Sequence, residues 1–188
     1  MNEASKLRKI LSPAELAWFS GDVLDIGCGD DPITPTCVRF DKKDGDASHA
    51  SSYLSGRKFD CVFSSHCLEH LDSPEDVLQD WWSLVRLDGV LVVCVPDEDL
   101  YEQGAFGRFN SEHKHTFTLC KRKSWSPVSV NVLDLVKSLD GGELVKAELQ
   151  DIGYDRGKLR FGRGIRAMDQ TTGDAMAQIM FAVRKRKP

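Results

Sequence analysis

Residues 63–71, FSSHCLEHL, place His66, Glu69 and His70 at the spacing H-x-x-E-H. That spacing serves two unrelated chemistries. Within a helix long enough to turn both imidazoles to one face, and with a third ligand supplied elsewhere, it is the zinc site of a metalloprotease. Directly after a β-strand it is instead the wall of a ligand pocket. The flanking residues separate the two readings. FDCVFSS ahead of His66 reads as a strand and Leu71-Asp72-Ser73-Pro74 starts a different helix, so a helix confined to 66–72 would make fewer than two turns. The spacing therefore predicts a pocket wall at a strand end, with His66 its first candidate for chemistry and no metal.

A second pair, His113 and His115 in EHKHTFT, would point to one side if its segment is extended. Two histidines with no third ligand nearby do not complete a metal site. The expectation is a lid over the pocket that supplies polar contacts or a base. RGKLRFGRGIR, residues 156–166, carries five basic residues and one aromatic. Such a segment can grip a phosphate or a nucleic acid, but between two strands it reads more simply as a solvated loop.

Residues 23–32, VLDIGCGDDP, run from an apolar strand through Asp25 into Gly27-Cys28-Gly29. Glycines in a β-to-α turn let the backbone approach a ligand closely. A dinucleotide fingerprint would need a third glycine where Pro32 stands, and Asp30-Asp31 would repel a pyrophosphate from the turn. A cationic nucleoside without phosphates fits these residues better.

Here the chain resembles the class I S-adenosylmethionine-dependent methyltransferases, whose first motif, acid-x-Gly-x-Gly after strand one, is matched by Asp25, Gly27 and Gly29. The resemblance implies S-adenosyl-L-methionine as cofactor. By it, the turn Gly27-Cys28-Gly29 would face the methionine part, with Asp25 helping to hold the amino group. Asp41, closing VRFD, would bond the ribose hydroxyls, and Asp46 and Ala47 of GDA would lie near the adenine. FDCVFSSHCLEHL resembles strand four and its loop, so Ser64, Ser65 and His66 would border the reactive methyl; LDGVLVVCVP resembles the turn into strand five. Beyond residue 100, DEDLYEQG, FNSEHKHTFT and AQIMFAVRKR are similar to a small group of stand-alone bacterial methyltransferases. That likeness gives no substrate; the expectation is methyl transfer to oxygen or nitrogen of a small-molecule or sugar acceptor, with His66, His113 or His115 as base. A methyltransferase-like module that binds without turnover is the alternative.

Positioning these residues calls for an α/β fold, and the resemblance implies a Rossmann-like sheet, mainly parallel with an antiparallel last strand. Apolar runs at 23–26, 38–40, 61–63 and 90–95 predict buried strands, and 144–149 and 177–183 predict two more. Residues 3–18 read as an amphipathic helix with a Ser12-Pro13 break, its Leu7, Ile10, Leu11, Leu16 and Trp18 roughly on one side. Ser73-Pro74-Glu75-Asp76 predicts a helix that runs to about Leu87, buries Val77, Leu78, Trp81, Leu84 and Val85, and stops at Gly89. Residues 130–139 predict another, ended by Gly141-Gly142. Too few residues separate the first two strands for a crossover helix with its turns, which takes about ten to twelve. That helix is expected to shrink to a turn containing Pro32 and Pro35, and strand three, squeezed by the closeness of Asp41 and Asp46, to be very short or absent.

With 188 residues, 41% of them hydrophobic, and a net charge of −4, one domain over 1–188 is expected. Within it lie an N-terminal helix (1–20), a lid (101–128) and a basic loop region (156–176). The longest apolar run, 90–95, is too short to cross a bilayer, and the N-terminus mixes Glu3, Lys6, Arg8 and Lys9 with no apolar stretch. Six cysteines without a C-x-x-C pair fit a reduced, cytoplasmic setting. Acids predominate over 22–100 and bases over 101–188. The first half suits a cationic ligand and the second an anionic small-molecule acceptor, rather than nucleic acid or membrane.

Overall fold

Four of the apolar runs become the parallel part of one sheet: β1 (Val23–Ile26), β2 (Val38–Phe40), β3 (Phe59–Ser65) and β4 (Val85–Pro96). The computed structural model describes residues 3–121 and 123–187. Two short strands, β5 (Thr116–Thr118) and β6 (Ser129–Asn131), pair in parallel apart from this sheet. β7 (Gly142–Gln150) and β8 (Gln178–Lys185) complete it, with β8 antiparallel to both β4 and β7, in the order β2-β1-β3-β4-β8-β7. The mainly parallel sheet with an antiparallel last strand is the architecture the sequence predicts.

Strand alternation sends side chains to two cores. Leu24, Ile26, Val62, Leu91, Val93 and Phe181 join the larger one, on the face covered by a long helix; Val23, Cys61, Phe63, Val92, Cys94 and Met180 join the other. The N-terminal segment covers this second face. It forms two helices, α1 (Glu3–Ile10) and α2 (Pro13–Leu16), because Ser12 and Glu15 make a reciprocal capping box at the Ser-Pro break. Leu7 of α1 is fully buried there, a contribution of roughly 1.5–3 kcal/mol.

No helix forms between Ile26 and Val38, so the first crossover is a turn, as expected. Ile33 of that turn inserts into the second core in place of a helix. No strand forms between β2 and β3 either; a 3-10 turn at Ala47–His49 and α3 (Ala50–Tyr53) occupy the space of strand three.

The long helix, α4 (Pro74–Leu84), buries Val77, Leu78, Trp81 and Leu84 as predicted but stops before Val85. Val85 pairs with Phe59 instead, and β4 runs through Gly89. The β-branched residue gains a strand partner, so the glycine is not the helix stop. Ser73 precedes α4, but its hydroxyl donates to the Asp76 carboxylate rather than capping a backbone N–H. α5 (Val132–Lys137) is capped by Asn131 and is shorter than 130–139 because β6 takes the residues before it. Among the described residues no helix is long and apolar enough to cross a membrane, and six cysteines are free thiols.

Candidate active site

The carboxyl ends of the parallel strands open onto two adjoining cavities, where α/β sheets of this kind bind ligands. One, of about 450 Å³, is lined by Asp25, Cys28, Gly29, Ser65 and Glu69 among others. The other, of about 520 Å³, is lined by Asp41, Gly45, Asp46, Ala47 and Cys67. Gly27, His66 and His70 border both.

The glycine turn adopts the left-handed backbone that its sequence allows, with φ +75° at Gly27 and +50° at Gly29. A Cβ on Gly27 would lie 2.7 Å from Cys67 Cβ, whereas one on Gly29 would meet nothing within 4 Å. Gly27 N–H donates to Phe40 O at 2.8 Å and Gly29 N–H to Asp41 Oδ2 at 2.7 Å, which ties the turn to the end of β2. Asp25 is buried, and its Oδ2 accepts the Ile33 N–H at 2.7 Å. Burial pushes its carboxyl up to about 7, although the Ile33 N–H favours the charged form. Asp46 is exposed at the rim, where its Oδ1 accepts the Ser48 N–H. Burial, with the Asp25 and Asp41 charges, pushes the Cys28 thiol up to about 11, and burial pushes that of Cys67 up to about 12, so neither is a ready thiolate.

At the end of β3 the chain turns sharply, with His66 at φ +53°. Its Nε2 lies 2.7 Å from Gln178 Oε1. Gln178 is held in that orientation because its Nε2 donates to Gln150 Oε1 at 2.7 Å. Nε2 of His66 is therefore the protonated nitrogen, and Nδ1 faces Glu69 Oε1 at 3.5 Å. Burial works against the imidazolium, but the Glu69 carboxylate, with Glu3 and Gln178 beyond it, outweighs burial and holds the His66 pKa above its ordinary value.

Glu69 sits in the 3-10 turn Leu68–His70 and is completely buried. Its backbone oxygen accepts the N–H groups of Lys114 (2.8 Å) and His115 (3.2 Å), which fastens the 112–116 segment to this turn. The fastening brings His113 into the cavity, stacked on Tyr101 at 5.4 Å between centroids. Nε2 of His70 and Nε2 of His113 each lie 4.0 Å from Glu69 Oε1. Burial raises the Glu69 carboxyl, but the His66 imidazole beside it outweighs burial and holds its pKa below the ordinary value. Glu69, His70 and His113 thus offer three ligand atoms within 4.8 Å of one another.

Several expectations need correction. Ser64 lines neither cavity: it points to the opposite face of β3 from Ser65, fully buried, and donates to Ile26 O at 2.9 Å. His115 is also outside, with Nε2 3.1 Å from Asp72 O. It does not share a side with His113: the consecutive N–H groups of Lys114 and His115 both donate to the Glu69 oxygen, which the alternation of an extended strand does not allow. The premise that the His113 pair has no third ligand nearby fails as well. Its partners come from the H-x-x-E-H stretch, a long way back in sequence. Sequence reasoning also missed Glu102, whose Oε1 lies 2.9 Å from His113 Nδ1, and Gln178. Only the run of polar residues around 97–103 hinted at the former.

A doubly wound sheet with a glycine turn after its first strand, acids closing the first two strands and an imidazole cluster closing the next define the class I methyltransferase architecture. Residues 4–127 match the family described as a methyltransferase domain, and the chain belongs to it. S-adenosylmethionine is the cofactor expected of that class. No curated protein matches the chain. Solved structures share the fold: a SAM-dependent methyltransferase from Archaeoglobus fulgidus is 18% identical with TM-score 0.61, covering 98% of this chain and 95% of its own. An S-adenosylmethionine-dependent methyltransferase from Clostridium acetobutylicum is 12% identical with TM-score 0.53, covering 100% and 93%. One from Methanosarcina mazei is 12% identical with TM-score 0.54, covering 95% and 99%.

Proposed function

We propose that the protein transfers the methyl group of S-adenosylmethionine to a hydroxyl or amine of a small-molecule acceptor, with sugars among the candidates. The observation that carries this reading is the junction of the two cavities at Gly27, His66 and His70. The nucleoside half of the cofactor fits the Asp41, Asp46 and Ala47 side. Its methionine half fits Asp25, Cys28 and Gly29, where the buried hydroxyl of Ser65 has no hydrogen-bond partner of its own. The reactive methyl then lies beside His66, with His113 across the cavity. The sulfonium is an activated donor, so the main work of the site is orientation and exclusion of water, worth about 7–11 kcal/mol.

Carboxylates of Glu3, Asp25, Asp30 and Asp31 surround the methionine side and match a cationic cofactor. None of Arg156, Lys158, Arg160, Arg163 and Arg166 lines either cavity. Arg156 bonds Asp151, and Lys158 pairs with Asp155. This favours an uncharged acceptor over the anionic one that the charge distribution suggested. Tyr101, Asn110 and His113 support the role of 101–128 as a lid.

The test is calorimetry with S-adenosylmethionine and with its homocysteine product, followed by labelled-donor transfer into fractionated small metabolites. Stoichiometric binding that weakens in Asp41→Ala, and label transfer that His66→Ala lowers at least tenfold, are expected. Failure of both ligands to bind would overturn the reading. Binding without label transfer to any fraction would favour a non-catalytic module.

A further inference from the structure

Glu69 poses a problem that the methyl-transfer reading leaves unanswered. It is a carboxyl group with no exposure, and neither of its oxygens has a hydrogen-bond partner. A buried polar group left so is destabilising unless something nearby satisfies it. Its nearest side chains are His66 at 3.5 Å and His70 and His113 at 4.0 Å.

The far nitrogens of those two rings decide what the near ones present. His113 Nδ1 lies 2.9 Å from the Glu102 carboxylate, and His70 Nδ1 lies 3.2 Å from the backbone oxygen of Glu112. Both partners are acceptors only, so each Nδ1 carries the proton. In the neutral rings each Nε2 then turns a lone pair toward Glu69. Two lone pairs and a carboxylate would repel one another at this spacing, yet backbone bonds hold them together. An acceptor fixing the outer nitrogen of a ligating imidazole is the usual outer shell of a metal site.

We propose that Glu69, His70 and His113 bind one divalent first-row transition ion, zinc being well suited to two imidazoles and one carboxylate. Ligands about 2.0–2.2 Å from such an ion stand roughly 3.4 Å apart in tetrahedral geometry, so a set whose atoms lie within 4.8 Å of one another has to contract by up to about 1.4 Å. Three protein ligands leave a position open toward the cavity. Resting on the proposed methyl transfer, this position would take the acceptor hydroxyl and lower its pKa. The proton passes to solvent water; the oxygen lone pair forms the new C–O bond as the C–S bond breaks and its electrons return to sulfur. Methylation at oxygen is the outcome this arrangement supports.

The experiment titrates chelator-stripped protein with Co²⁺, read by visible absorption and by elemental analysis after dialysis. One cobalt per chain is expected, with ligand-field bands but no thiolate charge-transfer band. His70→Ala, at a half-buried position, should lose stoichiometric binding while keeping the metal-free circular dichroism and melting midpoint. Glu102→Gln should weaken binding by about 10- to 100-fold. No cobalt bound at one equivalent overturns the proposal, and so does binding that persists unchanged in His70→Ala. Cobalt bound by a protein that binds no S-adenosylmethionine would leave this proposal standing and sink the methyl-transfer reading; the converse result would do the opposite.

Discussion

Asp25 Oδ2 accepts the backbone N–H of Ile33 at 2.7 Å, a bond that closes the loop standing where a crossover helix would be. The carboxylate thus braces the glycine turn and borders the cavity at the same time. Its raised pKa, about 7, has two consequences of opposite sign. Burying the group favours its protonated form, so it contributes stability that is complete below pH 3.8 and lost as pH rises through about 7. A cationic cofactor favours the ionised form, so affinity for S-adenosylmethionine should grow by up to about tenfold per pH unit below pH 7 and level off above. Asp25→Asn should flatten both profiles and bind the cofactor weakly at pH 8 while unfolding no more easily than the wild type. Calorimetry and urea unfolding from pH 5 to 8 measure the two; an Asp25→Asn profile as steep as the wild type's would refute the assignment.

α1 clamps the same loop from outside. Ser5 donates its N–H and hydroxyl to Asp31, and Arg8 Nη1 donates to the backbone oxygens of Pro32 and Ile33. Arg8→Met keeps the stem and removes the bonds. A partly exposed charged donor is worth less than a buried one, so the expected loss is about 1–2 kcal/mol. It should appear as a lower urea midpoint at unchanged slope, with weaker cofactor binding because the turn loses its outer support. Unchanged cofactor affinity would mean that α1 covers the core without shaping the turn.

The two glycines of the turn should respond differently to the same change. Gly29→Ala meets open space and pays only for its positive φ, about 1 kcal/mol. Gly27→Ala adds a collision with Cys67 Cβ at 2.7 Å and should cost about 2–4 kcal/mol in total. The double variant Gly27→Ala, Cys67→Ala does not relieve the clash, since the Cβ remains; Cys67→Gly should recover part of the loss. Thermal melts of the variants test the order.

The alternation that separates Ser64 from Ser65 was available in the sequence, since a strand reaching Ser65 must turn one inward and one outward. So were the missing helix and strand, which followed from chain length between motifs. What could not be read was the meeting of Glu69 with His113. It depends on two backbone N–H groups, of Lys114 and His115, sharing one carbonyl oxygen, and no side-chain pattern encodes that. The same sharing keeps the segment from running as an extended strand, and His115 lies outside the site. The end of α4 was misplaced for a related reason: Val85 has a strand partner only in three dimensions.

His66 offers the sharpest separation of backbone from side chain. Its φ of +53° is a conformation that costs a residue with a Cβ about 1–2 kcal/mol and glycine almost nothing. His66→Ala and His66→Gly both delete the imidazole and leave Gln178 Oε1 without its partner. They differ in strain in the folded chain and in the larger unfolded-state entropy of glycine, about 0.4–1 kcal/mol in the opposite direction. The net expectation is that His66→Gly is as stable as His66→Ala or more stable by up to about 1.6 kcal/mol, an inversion of the usual order at ordinary positions. If the imidazole meets the acceptor, turnover should fall equally in both, with cofactor affinity held within about threefold. Paired urea titrations and single-turnover transfer measure these quantities. A glycine variant clearly less stable than the alanine variant would show that the turn relaxes once the ring is gone, and that the strain belongs to the His66–Gln178 contact rather than to the end of β3.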